Sequence, residues 1–243
     1  MSKETDQAAK ELGIRIIAMD RPGFGLSEFQ KNRTLLDWPE DVVELADQLG
    51  IKKFAVMGVS GGGPYAAACA YRIPERLTKV GIVVGLAPTY IKGILKGMAK
   101  TNEWSWANYH RVLGMKTTAA WLRYFTSVHL SFLNSKGFQS KADKQLIDGD
   151  FKKSMDESFK ETFKQGIKGP AWDLKLYTEY WGFNLKDIRA KVYLWYGEDD
   201  KNVSLAMGKY YEEQIPDAKL TVYPGEGHFC RVNHEEEILR ALI

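Results

Sequence analysis

The stretch from Lys53 to Arg72 constrains the fold of this chain more than any other. An apolar run, Phe54-Ala55-Val56-Met57, meets Gly58-Val59-Ser60-Gly61-Gly62, and an alanine-rich segment follows to Arg72, stopping before Pro74. The run has the length and composition of a buried strand, and the alanine-rich segment that of a helix. A turn this short forces its middle residue, Ser60, into strained backbone angles and projects the hydroxyl into the open. Gly58 and Gly62, two before and two after, are expected to let the neighbouring backbones approach. The Gly61 N–H, at the helix start, can face a developing negative oxygen.

Similar units recur along the chain. Ile14–Met19, Lys79–Gly85, Lys191–Tyr196 and Lys219–Tyr223 read as strands. Asp6 to Leu12 and Leu205 to Gln214 read as helices. Asp37-Trp38-Pro39-Glu40 looks like a helix start, with Asp37 as cap and Glu40 three residues on, and Gly50 closes that helix. Apolar strands alternating with helices predict an α/β fold with a mostly parallel, doubly wound sheet.

Residues 88–190 follow a different pattern. They are helical in periodicity and hold 17 of the 30 aromatic residues, including five of the seven tryptophans. They carry 17 basic and 10 acidic residues, whereas the rest of the chain carries 17 and 21. We read a core of residues 1–87 and 191–243 and an inserted helical lid, 88–190, over the carboxyl ends of the strands.

Composition narrows the function class. The 243 residues carry a net charge of only +3, too little and too dispersed for a nucleic-acid binder. Two cysteines, Cys69 and Cys230, give no disulfide framework and no four-cysteine metal site. The longest apolar run, residues 80–88, is far below the roughly 18 residues of a membrane span. The expectation is a cytoplasmic enzyme acting on a small molecule, with no metal or organic cofactor. Nothing in the pattern specifies an oligomer.

A serine needs a base, and the base an orienting group. Of the four histidines, His228 follows the last strand in Pro224-Gly225-Glu226-Gly227-His228-Phe229, on the same sheet edge as Ser60. His110 and His129 fall in the lid and His234 at a helix start. The acid follows the strand 192–196 in Gly197-Glu198-Asp199-Asp200; Asp200 is preferred and Asp199 is the runner-up.

The order Ser60, Asp200, His228, together with Asp20-Arg21-Pro22-Gly23-Phe24-Gly25-Leu26-Ser27, Gly58-Val59-Ser60-Gly61-Gly62-Gly63-Pro64-Tyr65, Gly197-Glu198-Asp199-Asp200 and Gly225-Glu226-Gly227-His228-Phe229, resembles the α/β-hydrolase fold superfamily. The likeness is to its lid-bearing serine esterases, lipases and peptidases. It implies a catalytic triad of Ser60, His228 and Asp200, with Gly61 in the oxyanion hole and Asp20 as a structural residue at the rim. The implied chemistry is hydrolysis of an ester or amide bond through an acyl-enzyme. Trp104, Trp106, Trp121 and Phe229 are expected to bind the substrate, against packing roles for the tryptophans.

Members of the superfamily start with about three further strands, the third ending in a His-Gly loop that gives a second oxyanion donor. Here only a short helix precedes Ile14–Met19, and no His-Gly pair precedes Asp20. The resemblance therefore implies an N-terminally incomplete fold, read as a truncated start. The competing class is a non-catalytic small-molecule-binding relative.

Overall fold

The computed structural model describes residues 3–108, 140–147 and 149–243. Its centre is a parallel sheet of four strands in the order β1 (Phe54–Val59), β2 (Leu77–Val83), β3 (Val192–Gly197), β4 (Ala218–Tyr223). The preceding helices are α1 (Lys3–Glu11) and α2 (Trp38–Gln48). Helix α3 (Gly63–Arg72) returns β1 to β2. Between β2 and β3 lie α4 (Lys100–Ala107), α5 (Lys141–Leu146), α6 (Gly149–Thr162) and α7 (Lys168–Thr178). Helix α8 (Leu205–Gln214) links β3 to β4, and α9 (Cys230–Asn233) and α10 (Glu235–Ala241) close the chain.

Strand alternation sends side chains to two cores. Val80, Ile82, Val192, Leu194 and Tyr196 face α3 and α8, whose Ala67, Ala68, Met207 and Tyr211 are fully buried. Val83 and Trp195 face the other way, onto Ile238 and Leu242 at the C-terminus. The alanines of α3 matter here: their small side chains let the helix lie close to β1 and β2.

Two expectations are corrected. Ile14–Met19 forms no strand. A strand exists only where a neighbour takes its N–H and C=O groups, and β1 is an edge of the sheet with β2 as its partner. Instead the Ile14 N–H closes α1 by bonding Ala9 O at 2.8 Å, and Ile14 and Ile16 pack with Ala8, Ala9 and Leu239. Asp37 does not cap α2 with its side chain. Its carboxylate turns back and accepts from Thr34 N at 2.6 Å and Thr34 Oγ1 at 3.0 Å, fixing the turn before the helix.

Candidate active site

Ser60 sits between β1 and α3 with φ +53°, in the left-handed region that a side chain adopts only under constraint. The constraint comes from close backbone contacts. A Cβ on Gly58 would fall on the Gly62 carbonyl, and one on Gly63 would lie 2.7 Å from Gly85 Cα. Gly62 departs from expectation, because a Cβ there would meet nothing within 4 Å. What approaches is its carbonyl, and the glycine that must lack a side chain is Gly58.

The end of β2 helps to hold this turn. Val84 has φ +42°, strained for a β-branched residue. It redirects the chain so that Leu86 N–H bonds Ser60 O at 3.0 Å. Ser60 C=O and Gly61 N–H belong to one peptide plane, so this bond fixes the direction of the Gly61 donor. Tyr196 and Tyr211 hydroxyls donate to Gly85 O and Leu86 O, each at 2.6 Å, and hold the supporting loop in turn.

His228 lies after β4, with Nε2 3.1 Å from Ser60 Oγ and Nδ1 2.7 Å from Asp200 Oδ2. The other Asp200 oxygen accepts from Asn202 N at 2.7 Å and Val203 N at 3.0 Å. The structure thus brings together Ser60, His228 and Asp200, and Asp200 rather than Asp199 reaches the imidazole. Asp200 is fully buried and His228 nearly so. Burial alone lowers a histidine pKa, but Asp200, and behind it Asp143, outweigh it, and His228 is raised above its ordinary value.

Around the triad, Phe229 meets the His228 ring edge-on at 5.9 Å and Phe151 at 4.9 Å. Trp106 packs on Tyr177 at 6.3 Å. Trp104 is 54% exposed on α4. Trp121, like His110 and His129, lies outside the described residues. Trp172 and Trp181 do pack: the Trp172 indole donates to Arg33 O at 2.9 Å, and Trp181 is buried against Phe183 and Tyr211. His234 bonds Glu226 at 2.8 Å and stacks on Tyr223, away from Ser60 chemistry. Asp20 keeps a structural place, its carbonyl accepting from Ser27 Oγ at 2.8 Å while its carboxylate packs on Gly25. Among the described residues no three His, Cys, Asp or Glu side chains gather as a metal site.

Two groups were not found from the sequence. The first lies under the Ser60 turn. Asp173 of α7 is buried and accepts from Arg33 Nη2, from Arg21 Nε at 2.8 Å and from the Tyr65 hydroxyl at 2.5 Å. Arg33 Nη1 also donates to the Tyr65 oxygen at 2.6 Å. Tyr177, four residues on, places its hydroxyl 2.8 Å from Gly61 O and 3.1 Å from Asp173. Burial, and next the Asp173 charge, push both tyrosines up, so both remain hydrogen-bond donors. The second group is Asp143 with Ser140, beside His228. Both sets join residues more than 80 positions apart; the Ser140-x-x-Asp143 spacing announces a helix start but not the contact with His228.

The chain resembles known proteins over most of its length. A family model described as the alpha/beta hydrolase fold matches residues 3–232. The chain is 28% identical over 241 residues to a 2-hydroxymuconate semialdehyde hydrolase of Pseudomonas putida, covering 93% of this chain and 74% of that protein. It is 28% identical over 240 residues to a 2-hydroxy-6-oxo-6-phenylhexa-2,4-dienoate hydrolase of Burkholderia cepacia, covering 94% and 75%. A bromoperoxidase structure from Bacillus anthracis superposes with a TM-score of 0.69 at 21% identity, covering 99% of this chain and 84% of that one, a likeness of fold alone. The chain belongs to the alpha/beta hydrolase fold family. It is an enzyme of the hydrolase kind, as its named relatives are.

Proposed function

We propose that the protein is a serine hydrolase that cleaves an ester or amide bond of a small substrate through Ser60, His228 and Asp200. The observation that carries this is the continuous line from Ser60 Oγ through His228 to Asp200, on a serine held at positive φ. In this reading Ser60 Oγ attacks the acyl carbon while His228 Nε2 takes its proton. Asp200 accepts from Nδ1–H and stabilises the imidazolium. His228 then passes the proton to the leaving oxygen or nitrogen, and the C–O or C–N bond breaks. Water gives its proton to His228, attacks the acyl-enzyme and releases the acid and Ser60. Gly61 N–H is the oxyanion donor, its peptide plane fixed by Leu86.

Residues 88–190 form a lid in this reading. Support comes from α7, whose Tyr177 reaches Gly61 O, and α5, whose Asp143 reaches the His228 loop. Trp106 and Phe229 are the aromatic groups we assign to an apolar acyl pocket. A cytosolic location is consistent with both cysteines being free thiols.

The test is hydrolysis of a short p-nitrophenyl ester and labelling by a fluorophosphonate probe, with Ser60→Ala alongside. Turnover and labelling that both vanish in the variant support the reading; labelling that survives it rejects Ser60 as nucleophile. A second reading comes from the relatives, whose names specify substrates with an oxo carbon. Ser60-dependent cleavage of a 2-hydroxy-6-oxo-dienoate, with no ester turnover, would favour it.

A further inference from the structure

Asp143 lies on α5, far in sequence from the three residues assigned to the reaction. Its carboxylate is completely buried. Oδ2 accepts from Ser140 N at 3.1 Å and from His228 N at 3.1 Å, and Oδ1 accepts from Phe229 N at 2.8 Å. Ser140 Oγ in turn accepts from Asp143 N at 3.0 Å, completing a capping box at the start of α5.

A capping box needs only one of these bonds from the carboxylate. The other two go to consecutive N–H groups of the loop that presents the imidazole. A buried carboxylate is tolerated when hydrogen bonds fill its lone pairs, and here three backbone donors do so. Among the described residues no cation pairs with it. Gly227 is shaped for this contact: a Cβ there would overlap Asp143 Oδ2 and Ser140 Oγ. A side chain at 227 would push α5 off the loop.

We propose that Asp143 is a positioning residue, which grips the His228 and Phe229 N–H groups and thereby holds the imidazole on Ser60 only while α5 is docked. The inference rests on the serine-hydrolase reading for its effect on rate, but its geometry does not depend on it. Displacing α5 then releases the base.

Among the described residues, the groups that face His228 include Asp200 from the loop after β3, Asp143 from α5 and the neutral Ser60 hydroxyl. The Cys230 thiol nearby is pushed up by burial and stays neutral. Both carboxylates favour the charged imidazole, so removing the Asp143 charge lowers the His228 pKa.

The experiment compares wild type with Asp143→Asn, following the His228 ring by NMR titration and the rate of fluorophosphonate labelling of Ser60. The expected result is a His228 titration moved to lower pH and plateau labelling slowed about tenfold or more. A merely structural cap would lower Tm and shift the titration through the lost charge but leave the plateau labelling rate unchanged, and that outcome overturns the proposal. Should Asp143→Asn not fold, amide exchange on the wild type decides. The His228 and Phe229 N–H groups are expected to exchange slowly and together with Asp143 N–H, whereas fast exchange at 228 and 229 rejects the grip. Should the wild type not be labelled at all, the hydrolase reading fails while the titration and exchange still test Asp143.

Discussion

His228 Nδ1 lies 2.7 Å from Asp200 Oδ2, while Asp200 Oδ1 is already filled by the Asn202 and Val203 N–H groups. The carboxylate therefore cannot rotate away, and the imidazole has one tautomer in which Nε2 is free to accept a proton. Asp200→Asn presents an amide where an acceptor is needed. The expected loss in kcat is about 10⁴-fold, with Ser60 still in place. The acid limb of kcat/KM, which reports His228 deprotonation in the proposed mechanism, should also move to lower pH, because the larger of the two charges that raise His228 is gone. A variant within tenfold of wild type would remove Asp200 from the assignment.

The same pair fixes a pH dependence of stability. The His228 pKa is raised in the folded protein: burial works against the charge, and Asp200 outweighs it. A group raised on folding contributes stability that is fully present below its unfolded pKa, about 6.5, and is lost as pH rises through the folded value. Urea unfolding of wild type and His228→Gln across this range checks it. The difference between them should shrink with rising pH, and a difference that grows would reverse the sign.

Much of this candidate site is legible in the sequence. Ser60, Asp200 and His228 each sit just beyond a strand, and a parallel sheet delivers all three strand ends to one edge. Helix α3 and helix α8 fall where the sequence put them, because proline, glycine and the apolar period mark their ends. Ile14–Met19 misled, since an apolar run states what a segment could bury and not whether a partner strand is there. Asp173 and Asp143 were invisible for another reason. Each is a single carboxylate on a helix of ordinary polarity, and its meaning comes from backbone and arginine donors supplied by distant segments.

Glycine substitutions separate the two sides of the Ser60 turn. Gly58→Ala places a methyl group on the Gly62 carbonyl and 2.8 Å from Ala66 Cβ. Neither is the end of a flexible side chain, so β1 and α3 must move apart, at a cost of about 1–3 kcal/mol. Gly62 has φ −78° and ψ −17°, and its Cβ would meet open space. Gly62→Ala should leave stability unchanged or raise it by about 0.4–1 kcal/mol. Thermal unfolding of the two variants gives the comparison, and equal destabilisation would contradict this reading of the turn.

Both cysteines should be silent in the folded protein. Cys69 is packed in α3, and burial pushes its thiol up to about 12. Cys230 is buried beside Asp200, Glu226 and Asp143, all of which disfavour a thiolate further. The thiolate is the reactive species. A disulfide reagent should titrate no thiol in native protein and two after unfolding. A fast-reacting native thiol would place a base or an opening at one of these positions.

The Asp173 cluster makes the strongest stability prediction. Two guanidinium groups and two phenols converge on this single buried carboxylate, and Arg33 is itself nearly inaccessible. Asp173→Ala leaves the Arg33 charge buried without its partner, which costs about 3–5 kcal/mol. Tyr177→Phe keeps every charge paired and removes only the hydroxyl between Asp173 and Gly61 O, at about 1 kcal/mol. Its larger consequence should be kinetic. Tyr177 is a side-chain donor on Gly61 O, next to the N–H proposed as oxyanion donor, so its loss should free the Gly61–Gly62 peptide to rotate. A Tyr177→Phe variant with nearly native Tm and a several-fold lower kcat at unchanged KM would place the network in service of the turn. A proportionate loss of Tm with kcat unchanged would restrict it to holding α7 against the sheet.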